Sequence, residues 1–103
     1  MKIILLGYSG FIGSHILKEL ANHLKKNAKL NLICVGRNII SQPFQNKKIK
    51  YIKWDFVNFT KSKLFFLKKE NIIINCVGKN YSNKKNLEKM NLIFIKKLTN
   101  YIK

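Results

Sequence analysis

Apolar residues along this chain come in two rhythms that alternate. Short continuous runs read as buried strands: Lys2 to Gly7, Leu30 to Gly36, Ile49 to Trp54 and Ile72 to Val77. Between them lie stretches with helical spacing. In Phe11 to Asn27, Ile12, Ile16, Leu17, Leu20 and Leu24 line one face, while Lys18, Glu19, Asn22 and Lys25 line the other. Lys61 to Glu70 predicts a short helix packing through Leu64, Phe65 and Leu67. Lys85 to Ile102 predicts a last helix with Leu87, Met90, Phe94, Leu98 and Tyr101 inward. The loop from Arg37 to Lys48 holds the only proline, Pro43, and stands where a crossover helix would be.

Strands that are apolar throughout and alternate with helices predict an α/β fold with a parallel sheet covered on both faces. Right-handed crossovers then give four strands in the order 3-2-1-4, a Rossmann-type arrangement. The 103 residues make one domain, spanning 1–103.

The first strand runs straight into Gly7-Tyr8-Ser9-Gly10-Phe11-Ile12-Gly13, and a helix follows at once. This is G-x-x-G-x-x-G in the position of a phosphate-binding turn. Gly7 lets the chain leave the strand sharply, Gly10 removes a side chain where a pyrophosphate approaches, and Gly13 lets the helix pack on the strand. The amides of Phe11 and Ile12 and the helix dipole suit an anion, and Ser9 adds a hydroxyl. The strand before and the helix after are the context that makes such a glycine triplet informative.

The stretch KIILLGYSGFIGSHILKEL resembles the start of the short-chain dehydrogenase/reductase superfamily, in its extended and atypical branches. Those branches include NAD(P)-dependent sugar-nucleotide epimerases, dehydratases and reductases. The resemblance extends along the chain. Trp54-Asp55-Phe56 falls where these families carry an acidic residue touching adenine. Ile74-Asn75-Cys76-Val77-Gly78 resembles the end of strand four, whose backbone at Val77 and Gly78 lies along the cofactor, and Lys89-Met90-Asn91 resembles the start of the next helix. It implies an NAD(P)-binding portion of an oxidoreductase or an epimerase, dehydratase or reductase. Gly78-Lys79-Asn80-Tyr81 is also similar to an atypical branch that includes a nucleotide-binding accessory subunit of respiratory complex I. The residues alone allow Asp55 a simpler role as a turn or cap residue.

Members preferring NAD usually end strand two with a carboxylate for the ribose hydroxyls. This strand ends Val35-Gly36-Arg37-Asn38, so Arg37 could grip a 2′-phosphate with its planar fork. It is the only arginine against twenty lysines. The cofactor expected is therefore NADP, with NAD the alternative.

The superfamily's catalytic Tyr-x-x-x-Lys lies on a helix after strand five, a part the pattern here does not reach. Tyr81-Ser82-Asn83-Lys84-Lys85 has the spacing but lies one βα unit too early. No catalytic residue is assigned. The chain reads as a fragment lacking the catalytic half, and its apolar strand-four edge invites a second copy or that missing half.

Charge adds little. The net charge is +17, from 21 basic and 4 acidic residues. The lysines are scattered and form no single block with interleaved aromatics, so the excess reads as solvated surface, with a polyanion-binding module as the lesser alternative. Mean hydropathy is −0.12, and no apolar run approaches the roughly 20 residues of a membrane span. His15 could touch phosphate or simply pack on its helix, and His23 shares that helix. Two histidines and two cysteines in these positions form no metal site. Cys34 and Cys76 fall on strands that are not neighbours, about 9–10 Å apart. A disulfide needs Cα atoms within about 7 Å. Free thiols point to a reducing compartment, the cytoplasm.

Overall fold

Hydrophobic runs this short can bury both faces only inside a sheet, and that is where they lie. A computed structural model of the chain describes residues 2–39, 42–56, 59, 64–68, 70–77 and 95–102. Strands β1 (Lys2–Leu6), β2 (Asn31–Gly36), β3 (Ile49–Lys53) and β4 (Ile72–Asn75) form one parallel sheet in the order β3-β2-β1-β4. Ile4 of β1 pairs with Ile33 on one side and Ile73 on the other, and Ile33 continues the row to Lys50. The predicted strand order holds.

Successive residues of β1 point to opposite layers. Ile4 and Leu6 join Ile33, Val35, Trp54, Phe66 and Leu98 in one core. Leu5 joins Leu17, Ala21, Leu32 and Cys34 in the other. Helix α1 (Phe11–Leu24) covers the second core, and the helical residues 95–102 cover the first through Leu98, Tyr101 and Ile102. The predicted Rossmann-type α/β layering, with helices on both faces, is present.

The buried row of α1 differs from the predicted one. Gly13, Leu17, Ala21 and Leu24 are buried, Ile16 and Leu20 flank them half-buried, and Ile12 is 65% exposed. The helix is seated by its two smallest members, which allow its backbone to approach the sheet and turn Ile12 outward. It also ends earlier than expected, because the amides of Lys26 and Asn27 both bond the His23 carbonyl. Lys48 then supplies its ammonium to the carbonyls of Leu24 (3.3 Å) and Asn27 (3.0 Å), a cation at the negative end of the helix.

Where a helix was predicted, residues 65, 66 and 70 form turns and the described residues 64, 67 and 68 have no regular structure. The Lys68 amide and the Asn71 side-chain amide (2.8 Å) both donate to the Phe66 carbonyl, and the Leu67 amide bonds the Leu64 carbonyl. This local bonding competes with the helical ladder. Leu64, Phe66 and Leu67 turn into the core around Trp54, while Phe65, expected inside, is 50% exposed. Of the last predicted helix, Leu87, Met90 and Phe94 lie outside the described residues.

Cys34 and Cys76 are both free, on opposite sides of β1 as anticipated. Among the described residues no helix is long and apolar enough to cross a membrane, and no group of three metal-ligating side chains occurs.

Candidate functional site

All four strands run the same way, so their carboxyl ends share one edge, and the loops leaving it collect there. The turn after β1 is at the centre. Gly7 has φ +80°, which only glycine adopts at no cost. A β-carbon on it would lie 2.9 Å from the Cys76 carbonyl group and 3.1 Å from the Val77 nitrogen. The turn therefore rests directly against the end of β4, where the Cys76 amide bonds the Leu6 carbonyl at 2.8 Å. On the other side the Gly7 amide bonds the Val35 carbonyl of β2 at 2.8 Å.

Gly13 meets the same turn from the helix. A β-carbon there would run into the Gly7 carbonyl oxygen, 2.9 Å from its carbon and 3.0 Å from Tyr8 Cα. Gly10 behaves otherwise. Its φ is −74°, and the nearest atom to a β-carbon is 3.7 Å away. Packing thus dictates glycine at 7 and 13 but leaves room for a methyl group at 10.

Gly10 is the N-cap of α1, with no side-chain cap and no acidic residue in the first turn. The amides of Phe11, Ile12 and Gly13 precede any intrahelical acceptor. The Ser14 hydroxyl is turned to the Phe11 carbonyl at 2.9 Å. Ser9, Phe11 and Ile12 are exposed around this helix end, and His15 sets its ring edge-on to Phe11 at 4.9 Å. His23 lies exposed at the far end of α1.

The neighbouring strand ends complete the edge. Arg37 follows Gly36 at the end of β2 and is exposed. The Trp54 amide bonds the Gly36 carbonyl at 2.9 Å, which draws the end of β3 beside it. Asp55 is exposed there, whereas Trp54 and Phe56 turn inward with ring centroids 5.0 Å apart. Phe56 has φ 62°, unusual for a bulky residue, and its side chain belongs to the core. Val77 is half-buried with its amide on the Asn75 side chain at 2.9 Å. Gly78, Tyr81 and Lys85 lie outside the described residues.

The sequence reading passed over Tyr8, Gly36 and Tyr51. Tyr8 is buried beneath the turn, its ring 5.3 Å from that of Tyr51. Burial raises the pKa of Tyr8, with Cys34 and Tyr51 adding to it; burial also raises that of Tyr51, against the opposing bond from Phe44. The signal in the sequence is a large aromatic set between Gly7 and the small pair Ser9-Gly10.

Among solved structures, the chain matches that of UDP-glucuronic acid 4-epimerase from Bacillus cereus in complex with NAD, with a TM-score of 0.66. The two share a fold. Identity is 22%, and the match covers 98% of this chain. The chain spans 35% of the epimerase's length. No family model matches the chain, and no curated protein matches it in sequence.

Proposed function

We propose that residues 1–103 form an NAD(P)-binding Rossmann domain, the cofactor-binding portion of an oxidoreductase or of a sugar-nucleotide epimerase, dehydratase or reductase. The observation that carries this reading is the contrast among the three glycines. Gly7 and Gly13 are explained by the protein's own packing, and Gly10 is not. Its bare backbone, ahead of the free amides of α1, suits a diphosphate that must approach the chain closely. The solved NAD complex of a protein with the same fold supports the class of ligand.

Within this reading the diphosphate lies on the amides of Phe11 and Ile12, with Ser9 beside it. Arg37 faces the adenosine ribose, and with no carboxylate at the end of β2 the preferred cofactor is NADP. Asp55 faces the adenine, Phe56 contributes backbone only, and Val77 with Gly78 borders the nicotinamide side. When bound, the cofactor supplies hydride transfer; the residues named here bind and orient it, and none is assigned the chemistry. The exposed Ile72 marks the β4 edge as the place where a further strand or a second copy would pair. A concentration-independent monomer in sedimentation would exclude the second copy.

Titration with NADPH and NADH, read through Trp54 and the nicotinamide, tests the proposal. Saturable binding with NADPH preferred is expected, and Arg37→Ala should weaken NADPH about tenfold or more while sparing NADH. No binding of either by the folded chain would refute it, and a steep salt dependence with polyanions would favour the charge-driven alternative.

A further inference from the structure

The connection from β2 to β3 is made by residues 37–48, and the described part of it holds no helix. Aromatic side chains close the α1 face of the sheet in its place. Tyr8, carried by the turn after β1, lies against Gly36: a β-carbon on Gly36 would be 2.8 Å from Tyr8 Cε1 and 3.5 Å from the Asn38 carbonyl oxygen. Tyr8 thus presses on the backbone immediately before Arg37. The Tyr51 ring packs on Tyr8, and its hydroxyl reaches the loop. That hydroxyl accepts from the Phe44 amide at 3.1 Å and donates to the Phe44 carbonyl at 2.9 Å. One phenol satisfies both backbone groups of a single loop residue. Gly36 at the root is therefore held by Tyr8 and Phe44 by Tyr51, and Arg37 stands between these two points in the chain.

We propose that Tyr51, seated on Tyr8, is a specificity-determining positioning residue: by holding Phe44 it restrains the β2–β3 connection in which Arg37 stands, so that less freedom is lost when the guanidinium meets a 2′-phosphate. This rests on the dinucleotide reading and adds that the adenosine 2′-phosphate, rather than the diphosphate, is the part of the ligand under Tyr51's control. A connecting segment loses conformational freedom when it engages a ligand, and an anchor formed beforehand removes part of that cost. The diphosphate, held by amides of α1, draws nothing from the Tyr51 hydroxyl, whose bonds go to Phe44.

Tyr51→Phe tests the proposal, since it keeps the ring packing and removes only the hydroxyl. Two measurements on the full chain are needed. In the ligand-free protein, hydrogen exchange at the Phe44 amide should accelerate about fivefold or more, the size of one ordinary hydrogen bond, while the Leu17 and Ile33 amides stay as in wild type. Unchanged exchange at Phe44 would overturn the anchor. In titrations, NADPH affinity should fall about fivefold and NADH affinity less than twofold, since the two differ only in the 2′-phosphate. Equal losses would show a merely structural role and overturn the specificity claim. Wild type binding both cofactors equally would also overturn it, with the dinucleotide site left standing. Wild type binding neither would refute the dinucleotide reading and the specificity role together, while the exchange data still decide whether Tyr51 holds the loop.

Discussion

Replacing Gly13 with alanine sets two opposite effects against each other. Gly13 lies within α1 at a backbone conformation any residue can adopt, so helix propensity alone favours alanine by about 1 kcal/mol. The new methyl group would meet the Gly7 carbonyl group and Tyr8 Cα, however, and all of these are backbone atoms. Overpacking costs about 1–3 kcal/mol where neighbouring side chains can shift. Here the turn or the helix itself must move, which places the cost at about 3 kcal/mol. The net loss is about 2 kcal/mol, or roughly 8–16 °C in melting temperature for a domain of this size. Thermal and urea unfolding followed by circular dichroism measure it. A variant as stable as wild type, or more stable, would show that α1 is not seated on the Gly7 carbonyl, and the geometry proposed for the phosphate turn would fall with it.

Gly10→Ala should behave in the opposite way: the methyl group has room, so stability should change by less than about 1 kcal/mol while NADPH binding is lost. Retained binding would remove Gly10 from the site. Burial pushes the Cys34 thiol up to about 12, against an ordinary value of 9.0. The unfolded chain therefore ionises first as pH rises, and stability should fall from about pH 9 until the native thiol ionises near 12. The loss attributable to this thiol is on the order of 1 kcal/mol by about pH 10. Cys34→Ala should flatten that fall in urea titrations, and identical pH slopes for the two proteins would refute it.

The parts of the fold legible in the sequence are those where one physical demand dominates. The runs KIILL and NLICVG are apolar on both faces, which only a covered parallel sheet satisfies, and the strand order follows from crossover handedness. Gly7 and Gly13 were legible because a sharp turn and a close helix demand glycine at those places. What escaped notice depends on contacts distant in sequence. The inner face of α1 is built around Gly13 and Ala21, which a search for large apolar residues passes over, so Ile12 was placed inside. Leu64 to Leu67 carried enough apolar character for a helix, yet the Asn71 side chain and the Lys68 amide take the Phe66 carbonyl. Tyr51 looked like one more strand residue, because its partner Phe44 sits in a loop that has no periodicity to read.

The position of β1 in the middle of the sheet has a consequence for how the chain leaves the ribosome. Ile3 pairs with Ile72, so this strand, synthesised first, gains its second neighbour last. Elongation across the intervening roughly 70 residues takes about 4–14 s, whereas collapse of a chain this size takes at most about 100 μs. Once β3 ends at Lys53, about 19 residues remain before Ile72, so for roughly 1–4 s β1, α1, β2 and β3 are all available to assemble while the far edge of β1 still lacks β4. An apolar edge left open among other nascent chains is a template for the wrong partner. A chain stopped just before Ile72 should accordingly pellet more readily than the whole chain at equal concentration; equal sedimentation of the two would show that the edge is shielded in some other way. What guards that edge during synthesis then bears on how much protein survives to fold, a matter the surface charge of the finished domain does not decide.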